Sequence, residues 1–379
     1  MAKGTVYGPE SRTFYDRCTG TQIRQVTAAS ALHHHPFFII PAYDDAMQRL
    51  IFVSNRTGTP QIFAEERVTG ELRQLTNRPD LAESEWSVHP SHNGKAVFFT
   101  AGTSGWRLDL ETLEERELVN FDAACKSKLA VKSAATAMKD EGMVAAAMGT
   151  TALSHDDKWW AIRFKVGKES ALAIVDTDTG EHDIILQRDS IAHLQFCPDD
   201  ANMLYYAGPL TDRVWVIHRD GSGNRRLYAR NAKKNEWITH ETWIPGTREL
   251  AFVDWPRGVR CINVDTGAER QVTTINAWHA ISNPAGTCMV ADTNFPDIGI
   301  QIFDPRDGIG EPQTLCYPHA SSIGEHWNGP FPYANGPIQV YAPQHTHPHP
   351  SFSPDGQHIV FTSDRSGYAQ IYEATLTNT

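Results

Sequence analysis

The 379-residue sequence has no apolar run approaching the ~18 residues needed to span a bilayer, and its start, MAKGTVYGPESRTFYDR, carries no apolar core of a secretory signal. A transmembrane role is excluded on this reading, and a cytoplasmic location is expected. The six cysteines, Cys18, Cys125, Cys197, Cys261, Cys288 and Cys316, are scattered, with no CxxC pair. That excludes a zinc ribbon and the disulfide framework of a small secreted domain, and leaves reduced thiols, several of them buried. Basic excess is also missing. The 34 Lys and Arg stand against 45 Asp and Glu, a net charge of -11, which argues against nucleic acid as a partner. An anionic substrate would need a local cationic pocket. There is no GxSxG to supply a serine nucleophile, and no P-loop or GxGxxG for a nucleotide.

What is present is a repeat. Leu50 to Ala64 (LIFVSNRTGTPQIFA) and Ile359 to Glu373 (IVFTSDRSGYAQIYE) share Phe52/Phe361, Ser54/Ser363, Arg56/Arg365, Gly58/Gly367 and Gln61/Gln370. Each reads as strand, tight turn, strand. A further turn-plus-strand recurs as TGELRQLT (69 to 76), TLEERELV (112 to 119), TGEHDIIL (179 to 186), GSGNRRLY (221 to 228), TGAERQVT (266 to 273) and, more loosely, GIGEPQTL (308 to 315). One more copy, Thr19 to Thr27, precedes any complete repeat, while the chain stops after the third strand of its last. Repeats over 32–76, 85–119, 149–186, 191–228, 237–273, 277–316 and 346–376 make seven units of four short strands. They predict an all-β, seven-bladed β-propeller over 1–379, one domain, closed by an N-terminal strand that completes the last blade. Residues 120–148, rich in Ala, Lys and Met, are expected to include a short helix between blades. Residues 317–345 form a long Gly/Pro/aromatic loop, of a length that is commonly functional or mobile.

Aligning the blades on the turn after the first strand gives HLQFCP from His193, HETWIP from His240, HAISNP from His279 and HPSFSP from His349, each His five residues before a Pro. With 17 His in 379 residues, four in register are not expected by chance. His347 lies one strand period from His349, so the two imidazoles share a face, and Gln344 stands three residues upstream of His347. Blades 2 and 3 carry Glu85 and Thr150 at the aligned place, and His33, His34 and His35 lie near the start of blade 1. Neutral imidazole serves both metal ligation and acid–base work. His279, His347, His349 and the Gln344 carbonyl oxygen are candidate ligands with positions left open. Imidazoles alone suit Zn, Ni, Cu or Fe, and a carboxamide oxygen shifts the balance toward Mn or another harder ion. Taken singly, each His reads as a hydrogen-bonded brace between strands before it reads as a ligand, the set does not, and Gln344 to Pro350 alone reads equally as a proline-rich surface turn. Arg213 is a candidate anion partner or an ordinary exposed turn residue. Arg56 and Arg365 read as structural, while Glu85, His89, His92 and Trp327 carry too little pattern to assign.

The residues resemble the oligogalacturonate lyases of pectin degradation, a polysaccharide lyase family built on a seven-bladed propeller. The resemblance runs through MAKG and DRCTGTQIRQVT, LDLETLEE (108–115), AGPLTDRVWVI, THETWIP (239–245), HAISN (279–283) and Gln344 with THPHPSFSP (346–354), the last being the most specific. It implies Mn²⁺, or another divalent ion, held by His279, Gln344, His347 and His349, a base at His240, and a substrate-carboxylate arginine at Arg213. HHHPFF in blade 1 departs from the single His usual in the family, and segments 120–148 and 317–345 match poorly. The implied reaction is β-elimination from a short oligogalacturonide, with His240 taking the C5 proton, Arg213 and the metal neutralising carboxylate charge, and His193 orienting substrate. The competing expectation is a non-catalytic, TolB-like propeller that binds a sugar or a protein around a metal. A glycoside hydrolase would need paired carboxylates, and none stand out at the blade mouths.

Overall fold

The computed structural model describes residues 2–81, 85–121, 148–167, 169–234, 236–294, 296–306, 311–320 and 347–376. Seven antiparallel sheets are present, the blades of an all-β, seven-bladed β-propeller. The expected helix within 120–148 and most of the 317–345 loop, with Gln344 and Trp327, lie outside the described residues. Among the described residues, no helix is long and apolar enough to cross a membrane.

The chain divides into two compact units. The first combines the residues up to Pro9 with Ile40–Ala229 and holds four sheets. Three of them run strictly in chain order, as in Ala192–Cys197, Asp200–Ala207, Val214–His218 and Arg225–Tyr228. The second unit combines Glu10–Ile39 with Arg230–Thr379. Its first two sheets are Trp237–Ile244, Glu249–Trp255, Gly258–Asn263 and Glu269–Thr273, then Ala277–Ser282, Met289–Thr293, Ile300–Phe303 and Gln313–Cys316. Its third sheet begins with Ser351–Phe352, His358–Ser363 and Gln370–Thr375, and the N-terminal segment finishes it. Gln22–Gln25 pairs antiparallel with Gln370–Thr375, Ile23 opposite Ala374, and Arg12–Tyr15 pairs on Gln22–Gln25. In the first unit the N-terminal Val6–Tyr7 likewise adds an edge strand to Leu72–Gln74, a pairing that the repeat pattern did not announce.

Near-continuous apolar strands are required because both faces of a blade are covered. His358–Ser363 is buried at five of its six positions. On one face of the last blade Ile359, Phe361, Tyr372 and Ile23 pack with Val290, Ile300 and Leu315 of the blade before it. Full burial of such side chains contributes roughly 1.5–3 kcal/mol each. The shared repeat residues have matching tasks. Ser54 and Ser363 each accept the N–H two residues on, at 3.1 Å, and Gly58 and Gly367 take φ of +96° and +102°, where a side chain is strained. The guanidinium of Arg56 lies 4.2 Å above the Tyr7 ring and that of Arg365 lies 5.1 Å above Phe14, so each repeat arginine anchors an N-terminal strand. Cys197, Cys261 and Cys316 are buried free thiols and Cys18 is an exposed one.

The N-terminal pairing yields a stability test. Ile23, 1% exposed, fills the face between the last two blades, so Ile23→Ala is expected to cost about 2–5 kcal/mol in urea unfolding. An unchanged midpoint would show that this strand adds nothing to the core.

Candidate functional site

Three of the four aligned histidines sit at one structural feature. In Ala192–Cys197 the pairing register slips between Ala192 and Gln195, in Trp237–Ile244 between Thr239 and Thr242, and in Ala277–Ser282 between Ala277 and Ala280. His193, His240 and His279 each fall inside such a bulge, where a residue leaves the ladder and the strand bends. His193 and His240 both have φ of +50°, and His349 has +29°, an uncommon region for a side chain other than Asn, Asp or His.

In the second unit three aligned imidazoles, His240, His279 and His349, come together with His347. The ring centre of His279 lies 4.1 Å from that of His240, 5.7 Å from His347 and 5.9 Å from His349. All four are buried. His240 Nδ1 donates to the carbonyl oxygen of Trp278. A carbonyl only accepts, so the ring proton is on Nδ1 and the lone pair on Nε2. His279 Nδ1 lies 2.9 Å from Asp292 Oδ2, which gives it the same tautomer, and its backbone N–H donates to Asp292 Oδ1 at 2.7 Å. The backbone N–H of His349 donates to Asp292 Oδ2 at 3.0 Å.

The HHHPFF segment lines the same cluster. His35 Nε2 stands 3.1 Å from the His349 carbonyl oxygen and 3.2 Å from its Nδ1, and His35 Nδ1 meets Thr362 Oγ1 at 2.6 Å. Phe38 packs 4.9 Å from His279 and 5.9 Å from His240, and Phe37 lies 5.8 Å from both His279 and His349. This enclosure strips the imidazoles of water. Burial holds His35 down at about 3, and burial followed by repulsion from His35 and His279 holds His349 well below the ordinary value. Both rings are therefore neutral, the form that ligates metal.

In the first unit Arg213 is half-buried and not an exposed turn residue; its Nη2 is 3.0 Å from His193 Nδ1. Guanidinium has no acceptor, so His193 Nδ1 accepts and its proton is on Nε2. Arg213 is thus aimed by the blade-4 histidine of the alignment. Among the described residues no three His, Cys, Asp or Glu side chains are already gathered as a metal cage, and the fourth expected ligand, Gln344, is outside them. The donor chemistry nevertheless fits a divalent ion, since His279 turns a lone pair away from Asp292 and His349 is neutral. Sequence reading missed Asp292 and Trp278, and it singled out HHHPFF without giving His35, Phe37 or Phe38 a role. An acidic residue inside the buried run MVADT was the available signal for Asp292, because a buried carboxylate demands partners.

The model of one protein family, described as oligogalacturonate lyase, matches residues 1–379. The oligogalacturonate lyase of Dickeya dadantii is 27% identical, with 99% of this chain and 98% of the relative covered. The oligogalacturonide lyase of Pectobacterium atrosepticum is also 27% identical, with the same coverage. Among solved structures, an oligogalacturonate lyase from Vibrio parahaemolyticus superposes with a TM-score of 0.79 at 23% identity, covering 100% of this chain and 99% of that one. An oligogalacturonate lyase in complex with manganese gives 0.78 at 25% identity and the same coverage.

Burial of neutral imidazoles has a measurable cost in acid. His35 and His89 are each pushed down to about 3, chiefly by burial. The unfolded chain takes up these protons near 6.5 and the folded one does not, so stability falls as pH drops from about 6.5 toward 3, by up to about 1.4 kcal/mol per pH unit per group. Urea midpoints across pH 7 to 4 should show this slope, and His89→Gln should flatten it. A slope unchanged by that substitution would contradict the burial account.

Proposed function

The chain belongs to the oligogalacturonate lyase family, and on that premise we propose that it cleaves short oligogalacturonides of the digalacturonate type by β-elimination to an unsaturated uronide, using Mn²⁺. The observation that carries the proposal is the His240 ring: its Nδ1 proton is committed to the Trp278 carbonyl, leaving Nε2 as a base beside the His279 imidazole. Support for the metal comes from the donor set and from the relative whose structure carries manganese. His279, His347, His349 and Gln344 would hold the ion. Bound there, Mn²⁺ supplies electrostatic neutralisation of the uronate carboxylate, without which the C5 proton is too weakly acidic for an imidazole to remove.

The remaining steps belong to the chain's own residues. His240 Nε2 takes the C5 proton. Arg213 offsets carboxylate charge, and His193, carrying its proton on Nε2, donates to a substrate oxygen. The C5–H electron pair forms the C4–C5 double bond as the C4–O bond breaks, and the departing glycosidic oxygen keeps that bond's electrons and takes a proton from solvent. Phe37 and Phe38 exclude water around the base. In an acidic protein of net charge -11, Arg213 and a bound cation supply the local positive field that a polyanionic sugar needs. The same proposal includes a cytoplasmic location, where buried Cys197, Cys261 and Cys316 stay reduced, and cooperative unfolding of 1–379 as one domain.

Incubation with digalacturonate and Mn²⁺ should generate the ultraviolet absorbance of a conjugated, unsaturated uronide. No absorbance with any divalent metal would favour a binding propeller, and saturated products would point to hydrolysis. His240→Ala should lower kcat by about 10²- to 10⁴-fold, and full retention of rate would remove His240 as the base. Arg213→Ala is expected to raise KM for the charged substrate, with an effect that shrinks as salt increases.

A further inference from the structure

We propose that Asp292 is the positioning residue of the metal half of the site: its single carboxylate sets the tautomer of His279 and seats His349, so that imidazoles from two neighbouring blades are prepared together. This rests on the metal reading above. Asp292 lies within the strand Met289–Thr293 and is 2% exposed. Among the described residues its hydrogen bonds run to His279 and His349. Oδ1 accepts the His279 backbone N–H at 2.7 Å, Oδ2 accepts His279 Nδ1 at 2.9 Å with Oδ1 at 3.2 Å, and Oδ2 also accepts the His349 backbone N–H at 3.0 Å.

A carboxylate buried among apolar strands is costly unless its lone pairs are filled. Here both oxygens are filled by the histidines of the proposed ligand set. A purely structural carboxylate could be satisfied by backbone donors alone, whereas this one also takes a ring N–H. That choice fixes which nitrogen of His279 holds the proton. It leaves the Nε2 lone pair for a cation and makes the ring more basic toward it, as carboxylates behind metal-binding histidines do. The second bond reaches the neighbouring blade. Through it the placement of His349 depends on the same side chain, so one substitution should disturb ligands that lie far apart in sequence.

The test is Asp292→Asn, which keeps the shape but presents an amide. Its N–H would face His279 Nδ1 and drive the ring proton to Nε2, the atom needed for metal. Titration with MnCl₂, followed by the loss of the free Mn²⁺ electron paramagnetic resonance signal, should show affinity about 10- to 100-fold below the parent. Two-bond ¹H–¹⁵N imidazole spectra of the metal-free proteins should place the His279 proton on Nδ1 in the parent and on Nε2 in the variant. Equal Mn²⁺ affinity with an unmoved proton would overturn the proposal. If the variant fails to fold, the parent spectrum decides, because a His279 protonated on Nε2 there overturns it equally. A parent with His279 protonated on Nδ1 that takes up no Mn²⁺ would sink the metal reading while supporting the Asp292–His279 coupling.

Discussion

The bulge at one step of the first strand, found among the described residues in four consecutive blades, is the constraint on which the rest depends. Both faces of a blade are buried, so an unbroken first strand offers only positions suited to apolar side chains. A register slip releases peptide groups from the ladder, and each must find another partner. These groups are reused. The Trp278 carbonyl accepts His240 Nδ1, the His279 N–H goes to Asp292, and the Thr151 N–H reaches the Trp86 carbonyl. The left-handed backbone at His193, His240 and His349 costs roughly 1–3 kcal/mol per residue. The surrounding sheets over-determine it, and a site with strained backbone is held on a scaffold that cannot relax.

That scaffold was legible because its signals are local. Strand, Gly turn and strand recur at fixed spacing, and the aligned His five residues before Pro marks the bulge in three blades, since the bulge lies a fixed number of residues before the turn. Even the structural role of Arg56 and Arg365 follows from their place in the repeat, although their partners, Tyr7 and Phe14, do not. What was not legible is contact across long separations. Asp292 meets His349 over 57 residues and His35 meets it over 314; nothing in the periodicity of either strand encodes those meetings. HHHPFF looked like an aberrant blade start. It is the wall of the imidazole cluster, a role that depends on where the second unit draws its N-terminal segment. For Arg213 the pattern left open a candidate anion partner and an exposed turn residue, and only the half-buried side chain beside His193 removes the second reading.

The partner of each Nδ1 then divides the histidines by chemistry. All four aligned residues are the same amino acid at the same step, yet they do not offer the same atom. Against a carbonyl, as at His240, or a carboxylate, as at His279, the ring must donate from Nδ1 and so carries a lone pair on Nε2. Against a guanidinium, as at His193, the ring must accept at Nδ1 and so carries a proton on Nε2. The blade repeat therefore delivers identical side chains, and neighbours from other strands set them apart, with the Nε2 lone pair left at His240 and His279 and the Nε2 proton at His193. The elimination proposed above would use both forms, since a proton must leave carbon, a carboxylate must be neutralised and substrate oxygens must be held. A single histidine with an unfixed tautomer would populate the wrong form part of the time. Buried partners that can only accept, or only donate, remove that ambiguity before substrate arrives.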